Sequence, residues 1–237
     1  MHWLAHGNLH SLTAMSQPPL NPPDSQPEGG VPKAVVSRLS LYLRELQRLV
    51  RDGFETTSST QLGKVLGFTD AQVRKDLAYF GQFGYPGIGY RCDELIREIK
   101  RILGTDRSWP VALIGLGNLG RALLGYKGFQ TQGFRIVAAF DVDPEKVDKK
   151  IEGIPVFRLG QLTQVVQRKG IRLAIIAVPA AAAQDVASTL VEAGIDGILN
   201  FAPVTIPLSA GISSIGVDLA IELEQLSFAV VNRPEKS

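Results

Sequence analysis

Apolar residues recur every three or four positions from residue 31 to residue 53, a pattern that predicts an amphipathic helix. Pro32 stands where a helix commonly begins, and Gly53 stands where one commonly ends. The apolar positions that would form the buried stripe of this helix are Val36, Leu39, Leu43, Leu46 and Val50.

Two shorter helices are expected next, because each is preceded by a capping signal. Ser58 with Gln61, and then Thr69 with Gln72, have the spacing of a capping box. Gly67 between them can end the first of the two in the left-handed conformation. The inward residues would be Leu62, Val65 and Leu66 on one helix and Val73, Leu77 and Phe80 on the other. Two capped helices joined by a short glycine-containing turn are typical of a helix-turn-helix.

The outer face of the third helix suits a major groove. Its small alanines leave room for long polar side chains to reach base edges and phosphates. The glycine- and proline-rich segment 81–90 that follows is expected to form a tight hairpin, the wing of a winged-helix domain. An Arg beside a Lys is more often plain solvated surface, but caps, turn and wing in this order favour DNA. The candidate DNA contacts are Ser58, Ser59, Lys64, Gln72, Arg74, Lys75, Tyr85, Gly87 and Tyr90.

Beyond a linking helix in "RCDELIREIKRILG", short apolar runs alternate with helical stretches and glycine-rich turns. This alternation predicts a parallel sheet with right-handed crossovers. The runs "PVALIG", "FRIVAAFD", "RLAIIAVP" and "GILNFAP" are interpreted as buried strands. The last segment, "VDLAIELEQLSFAVV", predicts a largely apolar helix that its own domain or a second subunit must cover.

The sequence "GLGNLG" directly follows a predicted strand and opens a predicted helix. In a dinucleotide-binding turn the first glycine makes the bend, the second lets backbone amides approach the pyrophosphate, and the third lets helix and strand pack closely. An acidic residue that ends the next strand can accept both ribose hydroxyls and repel a 2′-phosphate, which favours NAD(H) over NADP(H). The candidate residues are Gly115, Leu116, Gly117, Asn118, Leu119, Gly120 and Asp141.

The distribution of charge supports a polyanion partner. Residues 31–109 carry thirteen basic and nine acidic residues, whereas residues 110–237 carry twelve of each. Residues 1–30 carry two acidic residues and no basic ones, and their prolines predict an extension without regular structure. No apolar run approaches a membrane span and no secretory signal is evident, so we expect a cytoplasmic protein. A start at Met15 would remove the first fourteen residues.

Candidate catalytic chemistry is sparse. All three histidines lie in the first ten residues, and none of the five tyrosines has a lysine four positions later. A dehydrogenase needs such an acid or base beside the nicotinamide, so we expect no enzyme and no catalytic residue. Cys92 is the only cysteine, which excludes an intrachain disulfide and a multi-cysteine metal site; we expect no metal. Two alternatives stay open: an NAD-dependent oxidoreductase with an accessory basic domain, and a nucleotide-binding module related to CoA-ligase Rossmann domains.

From about Val31 to Asn232 the sequence resembles the Rex family of redox-sensing transcriptional repressors. The matching blocks are "SRLSLYLREL", "QVRKDLAYFGQFGYPGIGY", "GLGNLGRALLGY", "FDVD", "AIIAVP", "GILNFAP" and "VDLAIELEQLSF". The extension at residues 1–30 stands outside the resemblance.

The resemblance implies a homodimer that binds palindromic operator double-stranded DNA and senses NADH and NAD⁺. It implies an α/β chain with an N-terminal winged helix-turn-helix domain (31–108), a Rossmann-type parallel-sheet domain (109–216) and a C-terminal segment (217–237) whose helix is exchanged between subunits. It further places Pro179, Asn200, Phe201, Ala202 and Pro203 around the nicotinamide, and it implies an allosteric relay of Arg38, Tyr126 and Asp218.

Overall fold

A computed structural model describes residues 31–209 and 211–233 of the chain. The expectations for residues 1–30 therefore lie outside the described residues. The chain divides into two compact units, the first ending at Ile102 and the second beginning at Leu103. Each unit is described by itself below.

The N-terminal unit is a small helical domain with a two-stranded ladder. Its elements in chain order are α1 (Lys33–Arg51), β1 (Thr56–Thr57), α2 (Ser59–Leu66), α3 (Asp70–Ala78), β2 (Tyr90–Arg91) and α4 (Cys92–Ile102). Ser58 and Gln61 form the complete capping box of α2, and Gly67 ends that helix with a φ of 75°. At α3 the hydroxyl of Thr69 accepts from the Gln72 amide, while the Gln72 side chain bonds elsewhere. The helix-turn-helix prediction is confirmed, with a complete capping box at α2 and only the Thr69 half of one at α3.

The buried stripe of α1 is rotated from the predicted one. Val36 and Val50 are 40% and 36% exposed, so their predicted burial was wrong. The face that packs inward instead consists of Val35, Leu39, Tyr42, Leu43, Glu45 and Leu46. On α2, Val65 is also exposed, at 57%. The inward face of α1 thus contains polar groups, because it meets a buried carboxylate on α3, described below.

The C-terminal unit alternates strands and helices. Its elements are β3 (Trp109–Ile114), α5 (Asn118–Gly125), α6 (Gly128–Thr131), β4 (Phe134–Asp141), β5 (Lys150–Ile151), β6 (Ile154–Arg158), α7 (Leu162–Lys169), β7 (Leu173–Ile176), α8 (Ala180–Glu192), β8 (Gly197–Asn200), β9 (Ser213–Gly216) and α9 (Leu219–Val231). All four predicted strands are present. The hairpin of β5 and β6, the helix α7 and the strand β9 were not predicted.

The sheet of this unit has the strand order β5-β6-β4-β3-β7-β8-β9. All pairings are parallel except that of β5 with β6. From β6 to β9 the order is that of the doubly wound dinucleotide-binding fold, in which the chain reverses direction of travel between β3 and β7. Apolar clusters cover both faces: one includes Leu162 and Val166 of α7 with Leu190 of α8, and the other includes Leu123 and Leu124 of α5.

Helix α9 buries none of its residues within the described chain. Its exposed apolar side chains include Leu223, Leu226 and Phe228, which are 66%, 57% and 70% exposed. The sequence expectation that something must cover this helix therefore stands. No helix among the described residues is both long and apolar enough to span a membrane.

Candidate functional site

The carboxyl ends of the parallel strands meet in one row. Phe140, Ile114, Ile176 and Asn200 are register partners across β4, β3, β7 and β8. The backbone ladder continues one residue beyond the strands, where Gly115 donates to Phe140 at 2.8 Å. Because ligands of doubly wound sheets bind outside this edge at the switch point, the glycine loop, Asp141 and the segments after β7 and β8 all reach one candidate site.

The three glycines of the loop differ in what surrounds them. Gly115 has a φ of +93°, and a Cβ there would lie 2.5 Å from the carbonyl oxygen of Ala177. A Cβ on Gly120 would overlap the backbone carbonyl of Gly115. Gly117, in contrast, has no atom within 4 Å of its Cβ position. Protein packing thus requires the first and third glycines, while the second leaves open space where a pyrophosphate would approach.

The start of α5 is the candidate anion site. Gly117 is its N-cap and provides no side-chain hydrogen bond, so the first helical amides are not capped. Asn118 and Leu119 are exposed, as is Gly117. Leu116 differs, because its side chain is 1% exposed in the core and its amide donates to Asp141 at 2.7 Å. Leu116 shapes the loop from inside, and the amides left for phosphate belong to the start of the helix.

Asp141 at the end of β4 is held by backbone and side-chain donors. Its Oδ2 accepts from the Leu116 amide at 2.7 Å, and its Oδ1 accepts from the Asp143 amide at 2.9 Å. Lys146, which the sequence did not single out, places Nζ 3.4 Å from Asp141 and 3.2 Å from Asp143. Burial lowers the pKa of Lys146, but the two carboxylates outweigh it and raise that pKa, so the ammonium stays charged.

The loop after β8 is folded around Asn200. This side chain is 3% exposed; its Nδ2 donates to the carbonyls of Ala202 and Val204, and its Oδ1 accepts from the Ala202 amide. Both Nδ2 hydrogens are therefore used within the loop, and Asn200 shapes the candidate nicotinamide site from inside. Ala202 is buried as well, at 4% exposure.

Exposed atoms at this end come from Pro203 and Pro179, which precedes α8, while Phe201 is half-buried. A cavity of about 400 Å³ lies beside the loop and is lined by Asn200, Ala202, Pro203, Val217 and Asp218, among others. Asp218 is the N-cap of α9, where its Oδ1 accepts from the Ala220 amide at 2.9 Å. The structure thus brings the predicted nicotinamide loop and one predicted relay residue to a single cavity.

The outer face of α3 is as the sequence predicted. Ala71, Lys75 and Ala78 are exposed, whereas Val73 and Leu77 are buried. Arg74 is anchored, because it donates to Asp70 at 2.7 Å and to the hydroxyl of Ser59 at 3.1 Å. Ser59 is only 8% exposed, so it positions Arg74 and does not itself present a hydroxyl.

Other predicted DNA contacts divide by exposure. Lys64 and Gly87 are exposed and Ser58 is half-buried. The wing is a tight turn in which Tyr85 and Gly89 exchange two backbone hydrogen bonds. Tyr90 is 8% exposed, so its ring belongs to the core of the unit and leaves little surface for the predicted DNA contact. The Tyr85 hydroxyl donates to Glu94 at 2.9 Å, which raises the pKa of that phenol.

A buried carboxylate joins α1 to α3, and the sequence analysis missed it. Asp76 is 0% exposed and accepts from Arg38 at 2.5 and 2.7 Å, from the hydroxyl of Tyr42 at 2.7 Å and from Gln72 at 2.7 Å. Burial alone would raise the pKa of Asp76, but these hydrogen bonds outweigh it and lower that pKa. Burial and the bond to Asp76 raise the pKa of Tyr42.

Arg38, a predicted relay residue, is therefore already bound by Asp76 within the N-terminal unit, and 20% of its side chain is exposed. Tyr126 stands at the turn between α5 and α6 with 57% of its surface exposed. Its ring meets Phe129 edge to face, with the centroids 5.0 Å apart. An acidic residue between the buried Val73 and Leu77 was the signal in the sequence that could have revealed the partner of Arg38.

Among residues 31–209 and 211–233 no group of three or more His, Cys, Asp or Glu side chains could hold a metal ion. Cys92 is buried, and burial raises the pKa of its thiol. Neither observation adds a catalytic centre to the dinucleotide site.

Comparison with protein families gives two matches. A family model described as "CoA binding domain" matches residues 106–204, and one described as "Putative DNA-binding protein N-terminus" matches residues 30–78. Among solved structures, a crystal structure of RSP with β-NAD⁺ and operator DNA is 34% identical, has a TM-score of 0.81, and is matched over 84% of this chain and 92% of its own. The structure of RSP with β-NADH is 32% identical with a TM-score of 0.76, over 84% and 94%.

Two curated relatives carry the name redox-sensing transcriptional repressor Rex. The protein of Carboxydothermus hydrogenoformans is 47% identical over 84% of this chain and 96% of its own length. That of Syntrophobacter fumaroxidans is 46% identical over 84% and 95%. These relatives are named as repressors and not as enzymes. With nearly half of the residues identical across both units, the chain belongs to the family of redox-sensing transcriptional repressors called Rex.

Proposed function

We propose that this protein is a cytoplasmic, DNA-binding transcriptional repressor that senses the ratio of NADH to NAD⁺ as a homodimer. The observation that carries the proposal is the presence, in one chain, of two features. One is a helix-turn-helix with the exposed Lys75 on its outer face, and the other is a dinucleotide loop that Asp141 completes. The relatives solved with operator DNA and with each form of the dinucleotide support it.

The two redox forms share their adenosine and phosphates, so the start of α5 and Asp141 would contribute almost equally to the binding of either. Discrimination must come from the nicotinamide end, where one ring is planar and cationic and the other is neutral. The loop of Phe201 to Pro203 is poor in charge and its Asn200 amide is already bonded. Against these uncharged residues the neutral, reduced ring is favoured, because a cation loses hydration there. Asp218 and Glu222, which line the same cavity, act in the opposite sense on the cationic ring.

NADH can release DNA only if it binds the released arrangement of the dimer more tightly than the DNA-bound arrangement. A shift of the dimer from 1:99 to 99:1 in favour of the released arrangement requires binding about 10⁴-fold tighter to that arrangement. By linkage, operator DNA must weaken NADH binding by the same factor by which NADH weakens DNA binding. On this proposal the two Rossmann units come closer when NADH is bound, and the two α3 helices no longer match the spacing of the operator half-sites.

The relay on this proposal consists of Arg38, Tyr126 and Asp218. Asp218 is suited to sense the ligand because it lines the same cavity as the loop after β8. The Tyr126 hydroxyl is suited to exchange partners because no residue in the described chain bonds it. Participation of Arg38 requires its guanidinium to loosen its bonds to Asp76, which would transmit a change directly to α3.

The decisive experiment is a gel shift on a palindromic operator, titrated separately with NADH and NAD⁺. We expect release by NADH at concentrations where NAD⁺ leaves the complex intact. The double variant Arg74→Ala and Lys75→Ala serves as the control for the DNA side: it should weaken operator binding and its salt dependence and keep NADH affinity. Equal responses to the two redox forms would contradict the proposal.

A second candidate is favoured by the "CoA binding domain" match at residues 106–204. It predicts that CoA, and not NADH, raises the thermal stability of the protein. A thermal-shift comparison of CoA, NADH and NADPH separates the two candidates. Substrate turnover with NAD⁺ and a panel of alcohols and hydroxy acids would reveal an oxidoreductase instead.

A further inference from the structure

Gly128 is a glycine that its own backbone does not require. It is the first residue of α6 and its φ is not in the left-handed region, so any residue could adopt its conformation. Alanine is preferred to glycine in helices by up to about 1 kcal/mol. A reason for the glycine must therefore be found in its surroundings.

The three atoms nearest to the Cβ position of Gly128 all belong to the side chain of Tyr126. A Cβ on Gly128 would lie 2.5 Å from both Cε1 and the hydroxyl oxygen of Tyr126. The ring of Tyr126 occupies the place where a side chain of residue 128 would begin, and it is met edge to face by Phe129. The absent side chain at position 128 is what lets the phenol occupy this place.

We infer that Gly128 is a positioning residue that fixes the hydroxyl of Tyr126 in the place from which it couples NADH binding to release of DNA. The inference rests on the relay role proposed for Tyr126. Carbon atoms in contact prefer separations of about 3.5 to 4.0 Å. A methyl group at position 128 therefore displaces the ring by about 1 Å, which is enough to break the hydrogen bond of about 2.8 Å that the proposed relay gives the hydroxyl when NADH is bound.

The displacement should not harm the fold. The clashing atoms are the far end of a side chain that is 57% exposed, so the ring can swing away from the helix. It can also move against a neighbouring cavity of about 200 Å³, which Tyr126 lines together with Leu124, Phe129, Phe134 and Ile154. In both cases the helix is kept and the hydroxyl is moved.

The test uses Gly128→Ala with Gly125→Ala as its matched control. Gly125 ends α5 three residues earlier, and a Cβ there meets no atom within 4 Å. For each full-length variant, operator affinity is measured with and without saturating NADH, and the coupling is the ratio of the two. Loss of a hydrogen bond to a charged group changes an equilibrium constant by roughly tenfold or more. We therefore expect the coupling to be about tenfold weaker in Gly128→Ala and unchanged in Gly125→Ala.

Tyr126→Phe and its combination with Gly128→Ala complete a double-mutant cycle. Tyr126→Phe by itself should weaken the coupling. Adding Gly128→Ala to Tyr126→Phe should cause no further loss of coupling, because the hydroxyl is already absent. Wild-type coupling in Tyr126→Phe would overturn the relay and the inference together. Wild-type coupling in Gly128→Ala alone, or an additional loss in the double variant, would overturn only the role of Gly128. Amide hydrogen exchange over α5 and α6 should remain as in the wild type.

Discussion

Replacing Asp76 by Asn should destabilise the N-terminal unit far more than the same change at any exposed aspartate. Asp76 is 0% exposed and accepts four hydrogen bonds, of which two come from Arg38. Asn has nearly the same shape, but it removes the charge and turns an amide NH₂ toward groups that donate. Arg38, with only 20% of its side chain exposed, would keep a buried charge without its counter-ion.

The magnitude follows from this geometry. Breaking a buried ion pair by removing one partner costs about 3 to 5 kcal/mol, whereas an exposed pair contributes about 1 kcal/mol or less. Asp70 provides the matched control, because it lies on the same helix and pairs with Arg74 at 2.7 Å with both side chains about half exposed. We therefore expect a loss of about 3 kcal/mol or more for Asp76→Asn, and a much smaller loss for Asp70→Asn.

The assay is amide hydrogen exchange of peptides from α1 and α3, with guanidinium unfolding as the global measure. The effect also has a defined pH dependence. The pKa of Asp76 is lowered in the folded protein, so its contribution is complete above the ordinary Asp value of about 4 and is lost as the pH falls through the lower folded pKa. The free energies of unfolding of the wild type and of Asp76→Asn should thus differ by the same amount at pH 5 and pH 7, and they should converge in stronger acid. Equal effects of Asp76→Asn and Asp70→Asn at neutral pH would refute the reasoning.

Three further predictions concern the ligand sites. Asp141→Ala should erode the preference for NADH over NADPH, because it removes the repelling carboxylate and leaves Lys146, still paired with Asp143, closer to balance with a 2′-phosphate. The double variant Asp141→Ala and Lys146→Ala should accept NADPH less well than Asp141→Ala, as titration calorimetry can measure. Gly117→Ala should keep the wild-type melting temperature and weaken NADH binding, because a Cβ on Gly117 meets no protein atom. Gly115→Ala should weaken NADH binding and also lower the melting temperature, because a Cβ on Gly115 meets the carbonyl oxygen of Ala177. Lys75→Ala should weaken operator binding and reduce the slope of log K against log salt by about 2, roughly 1 for each subunit of the homodimer, and an unchanged slope would place this lysine away from the phosphates.

Local signals account for what could be predicted from the sequence. The ends of α2 and the start of α3 follow from caps within three residues of each other, and the dinucleotide loop follows from glycines within six residues. Such features depend on backbone chemistry next to the residue concerned, so neighbours in sequence are sufficient to identify them. The parallel pairing of the strands follows in turn from their alternation with helices.

The rotation of α1 could not be predicted in the same way, because its cause is 34 to 38 residues away. A hydrophobic criterion selects Val36 and Val50, but the buried carboxylate of Asp76 draws the face with Arg38 and Tyr42 inward instead. A buried charge must be paired or neutralised, and that demand is stronger than the gain from burying two valines at the edge of the stripe. The same criterion also hid the chemistry. The polar positions that interrupt an apolar stripe are those at which two helices fix their relative orientation, and here one of those helices carries the candidate DNA contacts.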